Sequence, residues 1–332
     1  MIASVGVDPR VELMSVIFRL AGNPEYAECN LPRYESEVKG HFAGFGDHRA
    51  VRLAAELRER RYVRWAAPIS LAVHIADAHS LTPMVPLDPP PPGLDRRWEP
   101  METSDFLDAA RDFAHRSGFG GFISAHQDLY LGAARQMEEA LARWGHLDWF
   151  DAFYGGVTRD RFHVVVALLT GQNSYGASFQ GPDAREIYAV QAVDGAGDEG
   201  LPVFDHDTVG CIVHELSHAY VTPMIHEHAC EFEHAGEQIF PAGKTDIEGY
   251  GSWLEMTHET LVRACEMRYY ITYLGDEATA RKLAWNARAG FALVEPLFEL
   301  LAGYESDRQR YPTLTAFIPE IVRLFEDKAK AS

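Results

Sequence analysis

Two histidines four residues apart, with a glutamate directly after the first, are the residues of this sequence whose types and spacing most clearly suit chemistry. The segment 209–224 reads VGCIVHELSHAYVTPM and contains His214, Glu215 and His218. On an α-helix, residues four apart lie one turn apart on the same face, so both imidazoles would face one point. This spacing is typical of two ligands that share one tetrahedral zinc ion.

The pattern predicts a general base, rather than a ligand, at Glu215. Because Glu215 directly follows His214, its side chain points about 100° away from the axis that the histidines share. It can still reach a water molecule held by the metal. Zinc lowers the pKa of such a water toward about 7, and a carboxylate then accepts its proton during attack on a carbonyl carbon. The motif therefore predicts metal-assisted hydrolysis.

The alternative explanation of this segment is an amphipathic helix with two histidines at its surface edge and a solvated glutamate. In a chain with 15 histidines, HExxH arises by chance with a probability on the order of several per cent. The helix is nevertheless predicted to pack in the core, with the histidines at the edge of its apolar stripe. That stripe consists of Val209, Ile212, Val213, Leu216 and Tyr220.

A third ligand is not supplied by the same segment. Catalytic zinc usually has three protein ligands and one open position. The extended motif HExxHxxGxxH is absent, because Val221 stands at the glycine position and Met224 at the third histidine position. The third ligand must therefore come from another part of the chain.

Glu259 is the favoured third ligand. It follows His218 by 41 residues, within a predicted helix over 252–273 that reads SWLEMTHETLVRACEMRYYITY. An exposed pair of Glu259 with Arg263, worth a few tenths of a kcal/mol, would explain the same residues without a metal. Arg263 could instead hold a ligand carboxylate in position. Both readings of this helix stay open on the sequence alone.

The elements that must position these residues divide the chain into two regions. Residues 1–150 are predicted to be mainly helical, and residues 151–332 to contain a small antiparallel or mixed sheet, the HExxH helix and C-terminal helices. The class is therefore α+β and mainly helical. The predicted helices cover 11–21, 50–60, 70–79, 104–117, 208–220, 252–273, 277–301 and 315–330. The predicted strands cover 162–170, 173–180 and 186–193, and 87–93 (LDPPPPG) is a predicted loop.

Composition excludes some classes of partner. The chain of 332 residues has 49 acidic against 30 basic side chains and a net charge of −19, which disfavours a nucleic-acid partner. No run of 18 apolar residues predicts a membrane span. The N-terminus lacks the pattern of a secretory signal, so the chain as written is expected in the cytoplasm, or outside the cell if a signal was trimmed.

Cysteine usage agrees with a reducing compartment. The four cysteines form no CxxC pair, and their spacing fits neither a cysteine-based zinc site nor a dense disulfide framework. We expect them to be free, buried thiols, with one disulfide as the alternative.

HELSH, followed some forty residues later by ETLVRA, resembles the zincin metallopeptidases of the gluzincin type. The segments VDPRVELMSVIFRLAG and HELSHAYVTP resemble a bacterial family of uncharacterised metallopeptidase-like proteins known as a domain of unknown function. The resemblance implies that His214, His218 and Glu259 bind Zn²⁺ and that Glu215 is the general base. It also implies a peptide or protein substrate.

The sequence departs from the best-known gluzincins around the third ligand. Their NExxSD pattern is not matched, since His258 replaces the asparagine and Val262 and Arg263 replace the serine and aspartate. Asp246, in GKTDIEGYG, resembles the aspzincin signature with its spacing off by one residue. It remains an alternative third ligand.

Two further features follow from the zincin resemblance. An edge strand beside the cleft would pair with extended substrate, and residues 173–180 are expected to form it because Gly176 leaves room for close approach. A simple short edge strand is the alternative. A phenol could donate to the developing oxyanion, with Tyr311 favoured among Tyr250, Tyr269, Tyr270 and Tyr311.

The sequence thus predicts a zinc-dependent metallohydrolase, most simply a peptidase. A zincin-like scaffold that binds zinc or peptides without cleaving them is the first alternative. A helical interaction protein without metal is the second. Substrate, endo- or exopeptidase action and oligomeric state stay open.

Overall fold

The structure, a computed structural model, describes residues 2–155, 160–241 and 251–331. Within these ranges the chain forms fourteen α-helices and one small sheet, which confirms the mainly helical α+β class. The helices are α1 (Pro9–Leu20), α2 (Pro32–Phe42), α3 (Arg49–Arg61), α4 (Ala67–Ala72), α5 (Pro100–Arg116), α6 (Phe119–Ala125), α7 (Gln127–Trp144), α8 (Trp149–Tyr154), α9 (His206–Glu227), α10 (Ala229–Ile239), α11 (Trp253–Tyr269), α12 (Asp276–Arg288), α13 (Val294–Ser306) and α14 (Leu314–Ala331).

The sheet is mixed and has four strands in the order β1-β2-β4-β3. They are β1 (Ile2–Gly6), β2 (Arg161–Ala167), β3 (Tyr175–Gln180) and β4 (Arg185–Ala192). Strand β2 pairs in parallel with β1 and β4, whereas β3 pairs with β4 in an antiparallel hairpin. The three strands predicted in the second half are therefore present, and β3 lies at an edge of the sheet.

Strand β1 was not predicted. Its five residues are exposed or half-buried, so they lack the apolar alternation by which a strand is recognised. Its backbone is ordered by pairing with β2, which lies about 160 positions later in the chain. Such long-range pairing leaves little local signal.

The predicted end of the HExxH helix at residue 220 is wrong. Helix α9 continues to Glu227, with Pro223 inside it. Val221, Met224 and Ile225 extend the buried stripe, at 0%, 7% and 0% exposure. Packing of this stripe holds the last turns although proline supplies no N–H to the helix.

Three other predicted helices need correction. Helix α4 ends at Ala72 rather than near residue 79, and the helix predicted over 277–301 is broken into α12 and α13 around Gly290, whose φ is +94°. Helix α5 begins at Pro100 with Glu99 as its N-cap, before the predicted start at residue 104. Proline at the first helical position needs no hydrogen-bond partner, and this favours the earlier start.

Two compact units divide the chain. One comprises Met1–Arg143 and Asp160–Glu215, and the other Trp144–Arg159 and Leu216–Ser332. The boundary falls within α9, so this helix belongs to both. In the first unit α1, whose residues 11–18 are all buried, packs on α3 and α4, and in the second α11 packs on α10 and α13. The domain boundary predicted at residue 150 stays a prediction.

None of the four cysteines, which all lie in the described part of the chain, forms a disulfide; Cys265 is buried, and Cys230 is exposed. The expectation of buried thiols is therefore wrong for Cys230. Among the described residues, none of the helices is both long and apolar enough to span a membrane.

Candidate metal centre

Helices α9 and α11 carry the residues predicted to bind metal, and both helices begin with side-chain caps. The carboxylate of Asp205 accepts a hydrogen bond from the Thr208 N–H at 3.0 Å, at the start of α9. At the start of α11, Ser252 and Glu255 form a reciprocal capping box. These caps satisfy backbone N–H groups of the first turn and fix where each helix begins.

His214, His218 and Glu259 lie together. Each offers one ligand atom, and these atoms are all within 4.8 Å of one another. His218 Nε2 is 3.4 Å from Glu259 Oε2. Two ligand atoms of a tetrahedral site with bonds of about 2.1 Å lie about 3.4 Å apart. The pair His218–Glu259 thus already has the spacing that one zinc ion requires.

The group is shielded from solvent but remains accessible on one side. His214 and Glu259 are 8% and 2% exposed, whereas the His218 side chain is 24% exposed. Burial of two imidazoles and a carboxylate is unfavourable unless they are paired, hydrogen-bonded or bound to a cation. This donor set, two nitrogens and one oxygen, suits zinc among the common metals.

Glu259 is also held by Arg263, one turn further along α11. The Arg263 Nε lies 2.7 Å from Glu259 Oε1, and both side chains are largely buried. Arg263 donates from Nη1 to Asn286 Oδ1 at 3.0 Å, and its guanidinium carbon lies 4.1 Å from the ring centroid of Phe291. The exposed surface pair considered from the sequence is therefore wrong, because this pair lies in the interior.

Thr222 contacts the other side of the His218 ring and was missed in the sequence. The Nδ1 of His218 lies 3.3 Å from the Thr222 hydroxyl oxygen. A hydrogen bond at Nδ1 orients an imidazole so that Nε2 is free to bind metal. The signal was available, since Thr222 follows His218 by four residues and so shares its helix face.

Glu215 lies at the point where α9 meets strand β3. Its residue exposure is 9%. A Cβ added to Gly176 would lie 2.6 Å from the Glu215 carbonyl oxygen and 3.4 Å from its Oε2. The atoms that closely approach Gly176 thus belong to Glu215 of α9, and the room expected there for a substrate strand stays a prediction.

Two other glutamates of α11, Glu255 and Glu266, have separate structural partners. Glu255 accepts hydrogen bonds from the Gly251 and Ser252 N–H groups in the helix cap. Glu266 lies 3.3 Å from Lys282 Nζ. Glu259 is thus the α11 carboxylate that the structure brings to the histidines. Asp246, the alternative ligand, lies outside the described residues.

His258 stands beside this group without belonging to it. Its ring centroid is 6.0 Å from that of His218 and 6.1 Å from that of His226. Burial, together with the neighbouring His218 and His226, lowers the pKa of His258 to about 3, so the ring is neutral. A neutral imidazole adds no positive charge where a cation would bind.

The tyrosines considered as oxyanion donors have other hydrogen-bond partners, are fully buried or lie outside the described residues. Tyr311 donates its hydroxyl to Glu320 Oε1 at 2.9 Å. Tyr269 donates to the Trp144 carbonyl and accepts from the His146 N–H, so its hydroxyl is used in the core. Tyr270 is fully buried, and Tyr250 lies outside the described residues. The choice of Tyr311 as oxyanion donor therefore has no support from its contacts.

The fold and these residues define a mainly helical α+β protein with a buried histidine–carboxylate group. The model of one family, described as a domain of unknown function (DUF4932), matches residues 3–324. The chain belongs to that family. Neither the curated proteins nor the solved structures contain a significant match to it.

Proposed function

We propose that this protein is a zinc-dependent metallohydrolase that cleaves peptide bonds. The observation that carries the proposal is the convergence of His214, His218 and Glu259, whose ligand atoms lie within 4.8 Å of one another. Three ligands of this kind leave a tetrahedral metal one open position, which is the arrangement of catalytic rather than structural zinc. When bound, zinc would polarise a substrate carbonyl and make a water molecule acidic enough to react near neutral pH.

The side chains of the protein would perform the remaining steps. Glu215, next to His214 on α9, takes the proton of the attacking water and later returns it to the leaving amine. Arg263 holds one oxygen of Glu259 and leaves the other directed at His218. Thr222 orients the His218 ring from its Nδ1 side. Each of these roles requires a group that is already in place before substrate binds.

A peptide substrate is supported by the position of the edge strand. Strand β3 is antiparallel to its one neighbour in the sheet and approaches Glu215 at Gly176. Extended peptide can add to such an edge through backbone hydrogen bonds. The scissile bond would then be held close to the general base.

The test combines metal content with turnover. The purified protein should contain about one zinc per chain, should cleave members of a mixed peptide pool, and should lose this activity after chelation. Added zinc should restore it. A protein that binds one zinc but leaves every peptide intact would support the non-catalytic zinc-binding scaffold instead. A protein without metal after dialysis would contradict both.

A further inference from the structure

The loop formed by residues 87–93, LDPPPPG, lies directly against the edge strand β3. A Cβ added to Gly93 would lie 2.1 Å from the Ser178 carbonyl oxygen and 3.2 Å from its Oγ. Gly93 also has a φ of +90°, which favours glycine. Only a residue without a side chain fits this position, so the loop and the strand are in van der Waals contact.

The loop is anchored at both ends of this contact. Next to it, the His74 ring packs edge-on against Phe179 of β3, and its Nε2 lies 3.4 Å from the Pro92 carbonyl oxygen. Just after the loop, the Asp95 N–H donates to the Ser70 hydroxyl oxygen at 3.1 Å. Four consecutive prolines restrict the backbone between these contacts. The loop is therefore a stiff element.

Besides the main-chain carbonyl of Ser178 at the strand edge, the contact includes the Ser178 hydroxyl, which lies on the same face of β3 as Glu215. Alternate residues of a strand point to the same face, so Gly176 and Ser178 share one. Gly176 meets Glu215 on that face, and Gly93 lies near the Ser178 hydroxyl on it. The two contacts are separated by two residues, or about 7 Å along the strand.

We propose that this loop, residues 87–93, is a stop that limits the length of a peptide bound along β3. Resting on the proposed function, the inference names the substrate class as peptides with a chain end about two residues from the scissile bond. A longer peptide would have to occupy the space that Gly93 fills at Ser178. The protein would then release short pieces from one end of a chain.

Two peptide ladders test this inference. A cleavable peptide is lengthened one residue at a time, either at its N-terminus or at its C-terminus, and kcat/KM is measured for each. One ladder should fall at least tenfold beyond about the second residue from the scissile bond, whereas the other should stay flat. If the enzyme is active but kcat/KM is independent of length in both ladders, the inference is overturned and the proposed function is not.

A glycine substitution tests whether the loop causes the limit. In Gly93→Ala the new methyl group cannot stay at Ser178, so the loop must move away. Leu87 and Asp88 border a cavity of about 280 Å³ beside α5, which gives the loop room to shift. Long peptides should gain at least fivefold in kcat/KM relative to short ones. Gly22→Ala is the matched control, because Gly22 has a φ of +78° and no atom within 4 Å of an added Cβ.

A second loop variant and a binding measurement distinguish a failure of the length-limit inference from a failure of the proposed function. Replacing Pro90 and Pro91 by glycine makes the loop more flexible without adding a side chain. As in Gly93→Ala, kcat/KM should rise for long peptides relative to short ones. Calorimetry with Glu215→Gln measures how the affinity for the ladder peptides depends on their length when no turnover occurs. A length limit that is unchanged in both loop variants would overturn the inference alone. Absence of both binding and cleavage for every peptide would overturn it together with the proposed function.

Discussion

Arg263 and Glu259 form a buried ion pair in which Arg263 Nε lies 2.7 Å from Glu259 Oε1. The other carboxylate oxygen of Glu259 lies 3.4 Å from His218 Nε2. One oxygen is thus held by the arginine, and the other faces the histidine. Since Arg263 also contacts Asn286 and Phe291, its own position is fixed from several sides.

Replacement of Arg263 by methionine should weaken metal binding about 10- to 100-fold, because Glu259 loses the partner that orients it. The affinity can be measured by competition with a chromophoric chelator. Arg268→Met is the matched control, since Arg268 lies on the same helix and pairs with Glu305 instead of Glu259. Equal losses of affinity in both variants would assign Arg263 a purely structural role.

Glu215→Gln should retain zinc and lose hydrolysis, with kcat reduced about 10²- to 10⁴-fold, because the amide cannot accept the proton of water. Metal content and turnover are measured on the same sample. Glu227→Gln, at the exposed end of the same helix, should keep full activity. Full activity in Glu215→Gln would contradict the assigned general base.

His218→Ala should lose the metal, since two remaining ligands hold zinc far more weakly than three. Elemental analysis after dialysis gives the stoichiometry directly. His234→Ala removes an exposed histidine of α10 and should still bind about one zinc. About one zinc ion per chain remaining in His218→Ala would contradict the assignment of His218 as a ligand.

Gly176→Ala should destabilise the protein by about 1–3 kcal/mol, because the new methyl group would overlap the Glu215 carbonyl oxygen and α9 must shift to relieve it. Denaturant unfolding measures the change. Gly195→Ala is the control, since an added Cβ there meets nothing within 4 Å. If Gly176→Ala matches this control in both stability and activity, β3 and Glu215 are not in the close contact described.

The buried Glu12 should make stability depend on pH. Burial raises its pKa from the ordinary value of 4.5 to about 7, opposed in part by hydrogen bonds from the Tyr34 hydroxyl and the Leu168 N–H. Between these values the folded protein holds a proton that the unfolded chain has released. The free energy of unfolding therefore falls as pH rises through this window, by at most about 3 kcal/mol.

Urea unfolding at pH 5, 6, 7 and 8 checks this effect. The stability of Glu12→Gln relative to the original protein should improve by up to about 3 kcal/mol from pH 5 to pH 8, because glutamine has no proton to release. Glu59→Gln serves as the control for loss of a charge at the surface. A constant difference between Glu12→Gln and the original protein across the series would contradict the prediction.

Local patterns predicted much of the site. The i,i+4 spacing of His214 and His218 follows from the period of one helix, and a carboxylate at Glu259 is readable from a later predicted helix. The expectation at Gly176 came from the zincin resemblance. The ligand role of these residues stays a prediction, as does the choice between Glu259 and Asp246.

The failures share a different physical origin. Strand β1 is ordered by a partner about 160 positions away, and α9 passes through Pro223 because its buried stripe continues on both sides. In each case the deciding contact comes from packing rather than from the local sequence.

The sequence by itself determined the mainly helical α+β class and a pair of histidines on one helix face, because the helical period is encoded within a few residues. Only the tertiary structure decided which α11 carboxylate meets the histidines, which residue holds it, and what covers the edge of β3. Those contacts join residues that are far apart in the chain, and the distances between them depend on how the helices and the sheet pack.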